Sequence, residues 1–180
     1  MKSLKSIANI RSKYIYLNTN PLSFELPVFN TNSYQYYGSL SQSQKDSLVW
    51  VGGDNNVELN MGPVFINSNT VWGFTTPFPD GNQCVGLQSN SYIQIPVLLK
   101  SGTRTISFFY HTRPNYQANP VTITINTSTI LGTLPSTRVS SWTPYSVQVN
   151  IVDDVIVLLR FVGTVTTYDA TTAINNIVIS

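Results

Sequence analysis

Apolar and polar residues alternate with period two along much of this chain. In Val121-Thr122-Ile123-Thr124-Ile125 the odd positions are apolar and the even ones polar, the mark of a strand with one face on a core and the other toward water. Further β-type runs, each bounded by Gly, Pro, Asn, Asp or Ser, fall at Leu48 to Val51, Val71 to Thr75, Cys84 to Gln88, Tyr92 to Leu99, Arg104 to His111, Tyr145 to Ile151, Val155 to Val162 and Ala173 to Ile179. Val155-Ile156-Val157-Leu158-Leu159 does not alternate, which predicts a central strand covered on both faces. Pro79-Asp80-Gly81-Asn82 reads as a turn, because Pro fixes φ and Gly accepts a positive one. Lys100-Ser101-Gly102-Thr103 is predicted to close a hairpin between two strong strands, and Asp153-Asp154 to reverse the chain before Val155. The pattern predicts an all-β fold of two packed antiparallel sheets.

Composition sharpens this. Val, Ile and Thr total 53 of 180 residues, against 4 Ala and 2 Glu, so an all-α fold is excluded. Ser, Thr, Asn and Gln make up 66 residues and charged residues 18, with 42% hydrophobic, a balance suited to a folded and weakly charged body. With no fixed-period repeat and no long Gly/Ser linker, residues 21–180 are expected to form one domain preceded by an arm over residues 1–20.

Charge singles out that arm. Lys2, Lys5, Arg11 and Lys13 place +4 within the first 13 residues, while the rest carries six basic and eight acidic residues, a net of −2. Nucleic-acid binding by the folded body is therefore not expected. Only the arm is basic enough to touch an anionic or protein partner. The start lacks an apolar run of signal-peptide length, because Lys5, Asn9, Arg11 and Lys13 interrupt it, so export by that route is not expected. The longest apolar stretch, Val155 to Leu159, is too short to span a bilayer as a helix. Cys84 is the one cysteine, so no intramolecular disulfide forms.

Enzymatic constellations are nearly absent. His111 is the one histidine, and the nucleophile-elbow, zinc-protease and P-loop motifs are missing, so no catalytic residue is assigned. A glycosidase needs two carboxylates flanking the bond, for which Glu25 with Glu58 is the pair considered. Asp54, Asp80, Asp153 and Asp154 read first as turn formers. Carbohydrate binding suits the inventory better, since aromatic rings stack on sugar C–H faces while amides and guanidinium groups bond hydroxyls. The candidates are Tyr34, Tyr36, Tyr37, Tyr110 and Tyr116 as platforms, with Asn82, Gln83 and Arg113 as polar contacts. Asn115 is a further polar contact, while Trp50, Trp72 and Trp142 are weighed as platforms against core or interface packing, which the sequence favours for Trp72 and Trp142. Tyr34, Tyr36 and Tyr37 fall in a polar stretch read as an exposed loop.

Over residues 22–179 the order of motifs resembles the galactose-binding-domain-like jelly rolls. Phe78-Pro79-Asp80-Gly81-Asn82-Gln83 is similar to that family's "P-x-G-x-Q" turn, and Gly102 to Phe108 to its "aGtYtlsF" strand. Pro120 to Asn126 is similar to "pVtVsIng", Trp142 to the Trp before the next strand, and Ala173 to Ile179 to the closing "aIDnVsI". Ser23-Phe24-Glu25-Leu26-Pro27 resembles the family's "nFE-P" opening. Asn175 stands where the family often has Asp, and the cysteines of plant cell-wall relatives are missing. The segment Phe109 to Tyr116 followed by Asn119-Pro120-Val121 is similar to virion proteins of large DNA viruses. The resemblance implies a two-sheet jelly roll and no catalysis. The narrower likeness implies a minor capsid, vertex or fibre-type virion protein anchored through Lys2, Lys5, Arg11 and Lys13, contacting other virion proteins and host glycans. The alternative is a lectin-like carbohydrate-binding module. No cofactor is implied except a calcium ion, common in jelly-roll relatives, for which Glu25 and Asp169 are the weak candidates. A homo-oligomer is expected because an open sandwich leaves strand edges to be paired or covered.

Overall fold

A computed structural model describes residues 21–29, 32–55, 62–67, 71–74, 77–166 and 170–180. Among these residues eleven strands form two antiparallel sheets. One sheet has, in spatial order, Ser33–Tyr36 (β1), Val64–Asn67 (β3), Gln83–Gln88 (β4), Thr171–Ile179 (β11), Gly102–Thr112 (β6) and Thr143–Ile151 (β9). The other has Val51–Asp54 (β2), Ser91–Leu99 (β5), Val155–Gly163 (β10), Val121–Ile125 (β7) and Thr129–Thr133 (β8). The expected two-sheet sandwich is therefore the observed architecture.

The core lies between the sheets. Phe65, Val85, Phe108 and Ile174 from the six-stranded sheet meet Ile93, Val97, Ile123, Leu159 and Phe161 from the other, with Phe108 edge-on to Phe161 at 5.0 Å between centroids. Every other residue of these strands supplies that core, as the period-two pattern requires.

Three details differ from the sequence reading, each for a tertiary reason. Residues 100–103 do not close a hairpin: β5 and β6 lie in different sheets, so this turn carries the chain across the sandwich. Period two reports which side of a strand is apolar, not which sheet it joins. The crossing is tied by Asp154, which accepts from Lys100 Nζ at 2.7 Å and from the Ser101 backbone N–H at 2.9 Å. The expected reversal at Asp153-Asp154 is likewise a passage from β9 to β10 in the opposite sheet. Second, β10 is central in its sheet, between β5 and β7, yet buried on one face only: Val157, Leu159 and Phe161 are buried, while on the other face Ile156 is 40% exposed and Leu158, Arg160 and Val162 are half-buried. Third, of the strand expected at Val71 to Thr75, the described residues 71–74 are not a strand, and Thr75 lies outside the described residues. Residues 71–73 form a turn and Phe74 is buried below it. The strand expected at Leu48 to Val51 begins only at Val51.

Short strands with weak alternation, β1, β3 and β8, went unread. β3 is buried at all four positions, Val64, Phe65, Ile66 and Asn67, because both faces of the six-stranded sheet are covered at this end. Its outer face carries a second apolar cluster of Val64, Ile66, Phe74, Cys84 and Ala173, overlaid by Trp72, Phe78 and Trp142. A short helix, Gln42–Ser47, starts on a capping box in which the Ser41 hydroxyl accepts from Gln44 N and the Gln44 side chain accepts from Ser41 N. The basic arm with Lys2, Lys5, Arg11 and Lys13 lies outside the described residues, as do Glu58 and Asp169.

Candidate functional site

The outer face of the six-stranded sheet gathers the candidate site. Tyr34 and Tyr36 alternate along β1 and so project from one face, opposite Ile66 and Val64 of β3. The turn at residues 71–73 brings Trp72 over them, with ring centroids of Tyr34 and Trp72 5.6 Å apart. Beyond the end of β6, the Arg113 guanidinium lies 4.1 Å from the Trp72 ring and 3.8 Å from the Tyr116 ring. Both of its flat faces are thereby covered, a cation–π sandwich. The result is a row, Tyr36, Tyr34, Trp72, Arg113 and Tyr116, in which Tyr34 is 52% exposed.

A cavity of about 470 Å³ opens beside this row, lined by Gly73, His111, Pro114, Asn115, Arg138 and Ser140 among others. Asn115 holds φ = 66°, a left-handed conformation that Asn tolerates, and so turns the loop around the mouth. His111 is 1% exposed and packs edge-on against Phe74 at 4.9 Å and Trp142 at 5.5 Å. Its Nδ1 lies 2.6 Å from the Thr112 carbonyl oxygen, which makes Nδ1 the protonated nitrogen and leaves Nε2 an acceptor without a hydrogen-bond partner. Burial pushes the His111 pKa below 6.5, against the Thr112 and Ser140 backbone groups that raise it, so the ring is held neutral at neutral pH. Buried polar atoms without partners collect here: His111 Nε2, Arg113 Nε and Trp142 Nε1.

Of the eight residues expected to contact sugar, the structure brings together Tyr34, Tyr36, Arg113 and Tyr116. It separates the others. Tyr110 is 5% exposed and belongs to the core between the sheets, edge-on to Tyr145. Burial pushes its phenol pKa up. Tyr37 follows β1 in a short 3-10 turn, half-buried against Trp50 at 5.6 Å, and burial also raises its pKa. The stretch read as a loop around Tyr34 and Tyr36 is strand β1. Gln83 is 1% exposed, its amide donating to the carbonyls of Phe24 at 2.6 Å and Pro27 at 3.2 Å, so it pins the incoming chain instead of meeting a ligand. Asn82 is exposed, but beside Glu25, away from the aromatic row. Trp50, at 2% exposure, is core. Trp72 instead joins the exposed row. Nothing local marks that role, since its partner Arg113 is 41 positions away in sequence. Arg138 and Ser140 were also missed, sitting in a loop with no sequence signature.

The calcium and glycosidase readings lose their shared residue. One Glu25 carboxylate oxygen accepts the backbone N–H groups of Asn82 and Gln83 at 2.9 and 3.0 Å. Gly81, at φ = 66°, lies so close that a Cβ there would strike this carboxylate. Glu25 is thus engaged in holding the turn at residues 79–82. Asn175, in the family's Asp position, does similar work, accepting from Asp80 N at 3.1 Å and donating to the Gln83 carbonyl at 2.9 Å. Among the described residues no three His, Cys, Asp or Glu side chains form a group able to hold a metal. Cys84 is buried, with its thiol pKa pushed well up by burial. No helix among the described residues is long and apolar enough to cross a membrane.

No protein-family profile matches this chain, and no curated protein sequence matches it. Solved structures do. The K2 cleaved adhesin domain of Lys-gingipain is similar with a TM-score of 0.56 and 10% identity, over 82% of this chain and 97% of that one. The K1 cleaved adhesin domain of Lys-gingipain from Porphyromonas gingivalis is similar with a TM-score of 0.53 and 12% identity, over 82% and 96% of the two chains. The C-terminal CBM6 of LamC, a marine laminarinase from Zobellia galactanivorans, is similar with a TM-score of 0.47 and 17% identity, over 66% and 99%. The expected virion-shell role anchored by the arm finds no support in these similarities. At such identities the likeness to the two adhesin domains establishes the fold alone, a two-sheet jelly-roll β-sandwich.

Proposed function

We propose that this chain is a non-catalytic carbohydrate-binding domain whose site is the row Tyr34, Trp72, Arg113 and Tyr116 together with the cavity over His111. The observation that carries the reading is the junction of ring surface with unpaired polar groups. Tyr34 offers an exposed aromatic face for sugar C–H bonds, while Asn115 and Arg138, both exposed at the cavity, donate to hydroxyls. A cavity of about 470 Å³ is in the range of small-ligand sites, about 300–1,000 Å³. Among the described residues no carboxylate lines the cavity, and Glu25 is bonded to the turn at residues 79–82.

The test is a glycan array on the full chain, followed by calorimetric titration of any hit against Tyr34→Ala and Asn115→Ala. Each substitution is expected to weaken binding at least about fivefold, in keeping with the 1–3 kcal/mol of a stacked ring or a lost ligand hydrogen bond. An array without hits, or hits unaffected by both substitutions, overturns the reading.

A further inference from the structure

Resting on that binding reading, we propose that the saccharide is acidic, and that Arg113 is the residue that selects it by taking a sugar carboxylate end-on between its two terminal Nη groups. The argument is one of elimination around a single guanidinium. Trp72 covers one face at 4.1 Å and Tyr116 the other at 3.8 Å, and Nε is buried. What the group still presents is its Nη edge. Among the described residues no atom takes that edge: the Arg113 side chain makes no hydrogen bond to them and has none of their carboxylates in ion-pair distance, whereas Asp154 provides for Lys100 in this way. A guanidinium fixed by stacking on both sides and open only at its forked edge matches a planar carboxylate in two parallel hydrogen bonds, with little side-chain entropy left to lose.

The surroundings agree in sign. Arg138 is the one charged side chain among the described residues that line the neighbouring cavity, and that lining includes no carboxylate. His111 is held neutral there and adds no charge to the site. The carboxylate sits on Arg113 at the edge of the row, and the adjoining ring reaches the exposed face of Tyr34 on one side or the cavity on the other. A neutral sugar would leave the Nη pair solvated and unsatisfied by ligand.

The test uses the full chain with a panel of uronate oligosaccharides and their methyl esters, which share every contact except the charge and the second carboxylate oxygen. The acids are expected to bind about tenfold more tightly than the esters. Arg113→Gln is expected to erase that preference, bringing the affinities for acid and ester to within about twofold of each other. Arg113→Lys restores only part of it, because an ammonium cannot form the fork. Arg138→Gln, which removes an equal charge, is expected to cost less than Arg113→Gln. Equal affinity of the unmodified chain for acid and ester overturns the carboxylate assignment while leaving carbohydrate binding intact, and needs no variant to fold. A sulfated oligosaccharide bound as tightly as the uronate, with the same loss in Arg113→Gln, overturns selection of a carboxylate. Binding of no saccharide, charged or neutral, overturns the binding reading itself.

Discussion

Two corners of the same sheet treat their polar groups in opposite ways. At the Glu25 corner, the Glu25 carboxylate, the Gln83 amide and the Asn175 amide are all bonded within the chain, to backbone groups of residues 24–27 and 80–83 and, at the Gln83 amide oxygen, to the Asn67 side chain. At the His111 rim, His111 Nε2, Arg113 Nε and Trp142 Nε1 are buried without a hydrogen-bond partner among the described residues, and rings cover the Arg113 guanidinium. A buried polar group bonded within the chain stabilises the fold, while one left open costs free energy unless something else fills it. The first corner is therefore satisfied within the chain, and the second is where the proposed binding site lies. Residue type does not distinguish them, since amides and aromatic rings occur at both.

This contrast breaks most readily at Gln83. Replacement by Ala leaves the Phe24 and Pro27 carbonyls unsatisfied at a site 1% exposed and opens a void, an expected loss of about 3 kcal/mol in urea unfolding with saccharide affinity unchanged. A large fall in affinity for a folded Gln83→Ala chain would show the corners to be coupled. Gly81→Ala attacks the same corner through the backbone. At φ = 66° the new Cβ is strained and meets the Glu25 carboxylate, so about 2 kcal/mol is expected, again without effect on binding.

Trp72→Ala probes the other side of the contrast. It uncovers one face of Arg113 and removes the ring beside Tyr34, with an expected loss of at least about tenfold in saccharide affinity and a smaller loss of stability, about 1–2 kcal/mol. Loss of stability with affinity retained would reassign Trp72 to packing alone.

Smaller still is a pH dependence at the rim. His111 is buried as the neutral ring, so its folded pKa lies below the unfolded value of 6.5. Its contribution to stability is complete above about pH 6.5 and is lost as pH falls below that value toward the folded pKa, with a slope of at most about 1.4 kcal/mol per pH unit. Unfolding midpoints at pH 8 and pH 5.5 measure it, and His111→Gln is expected to flatten the difference. The smallest effect belongs to the crossing between β5 and β6. Lys100 beside Asp154 holds that carboxyl below the usual range, but both side chains are nearly half exposed. Asp154→Asn is expected to lower the melting temperature slightly, and by less at high salt.

The strands were legible because their information is local. β5, β6, β9 and β11 were read to within two residues at each end, since period-two alternation and Gly, Pro or Asn punctuation need no partner to be recognised. β1 and β3 escaped because four residues make a weak pattern and β3 is buried on both faces. The site was legible only in part. An Arg beside a Pro and a Tyr two residues before Tyr36 drew notice by type, yet whether each faces ligand or core depends on what crosses over it. Tyr110 and Tyr34 are the same residue in similar strand contexts, one in the core and one on the surface.

The sequence by itself determined that the chain is all-β, where the long strands run, where the turn at residues 79–82 falls, and that no catalytic motif is present. These follow from backbone preference and side-chain alternation, which act over a few residues. Tertiary structure alone decided which sheet each strand joins, that Gln83 and Glu25 bond inward, and that Trp72 and Tyr116 close on Arg113 across 41 positions and three positions of sequence. Such pairings depend on strand order and loop crossings, and no local propensity encodes the distance between two segments far apart along the chain.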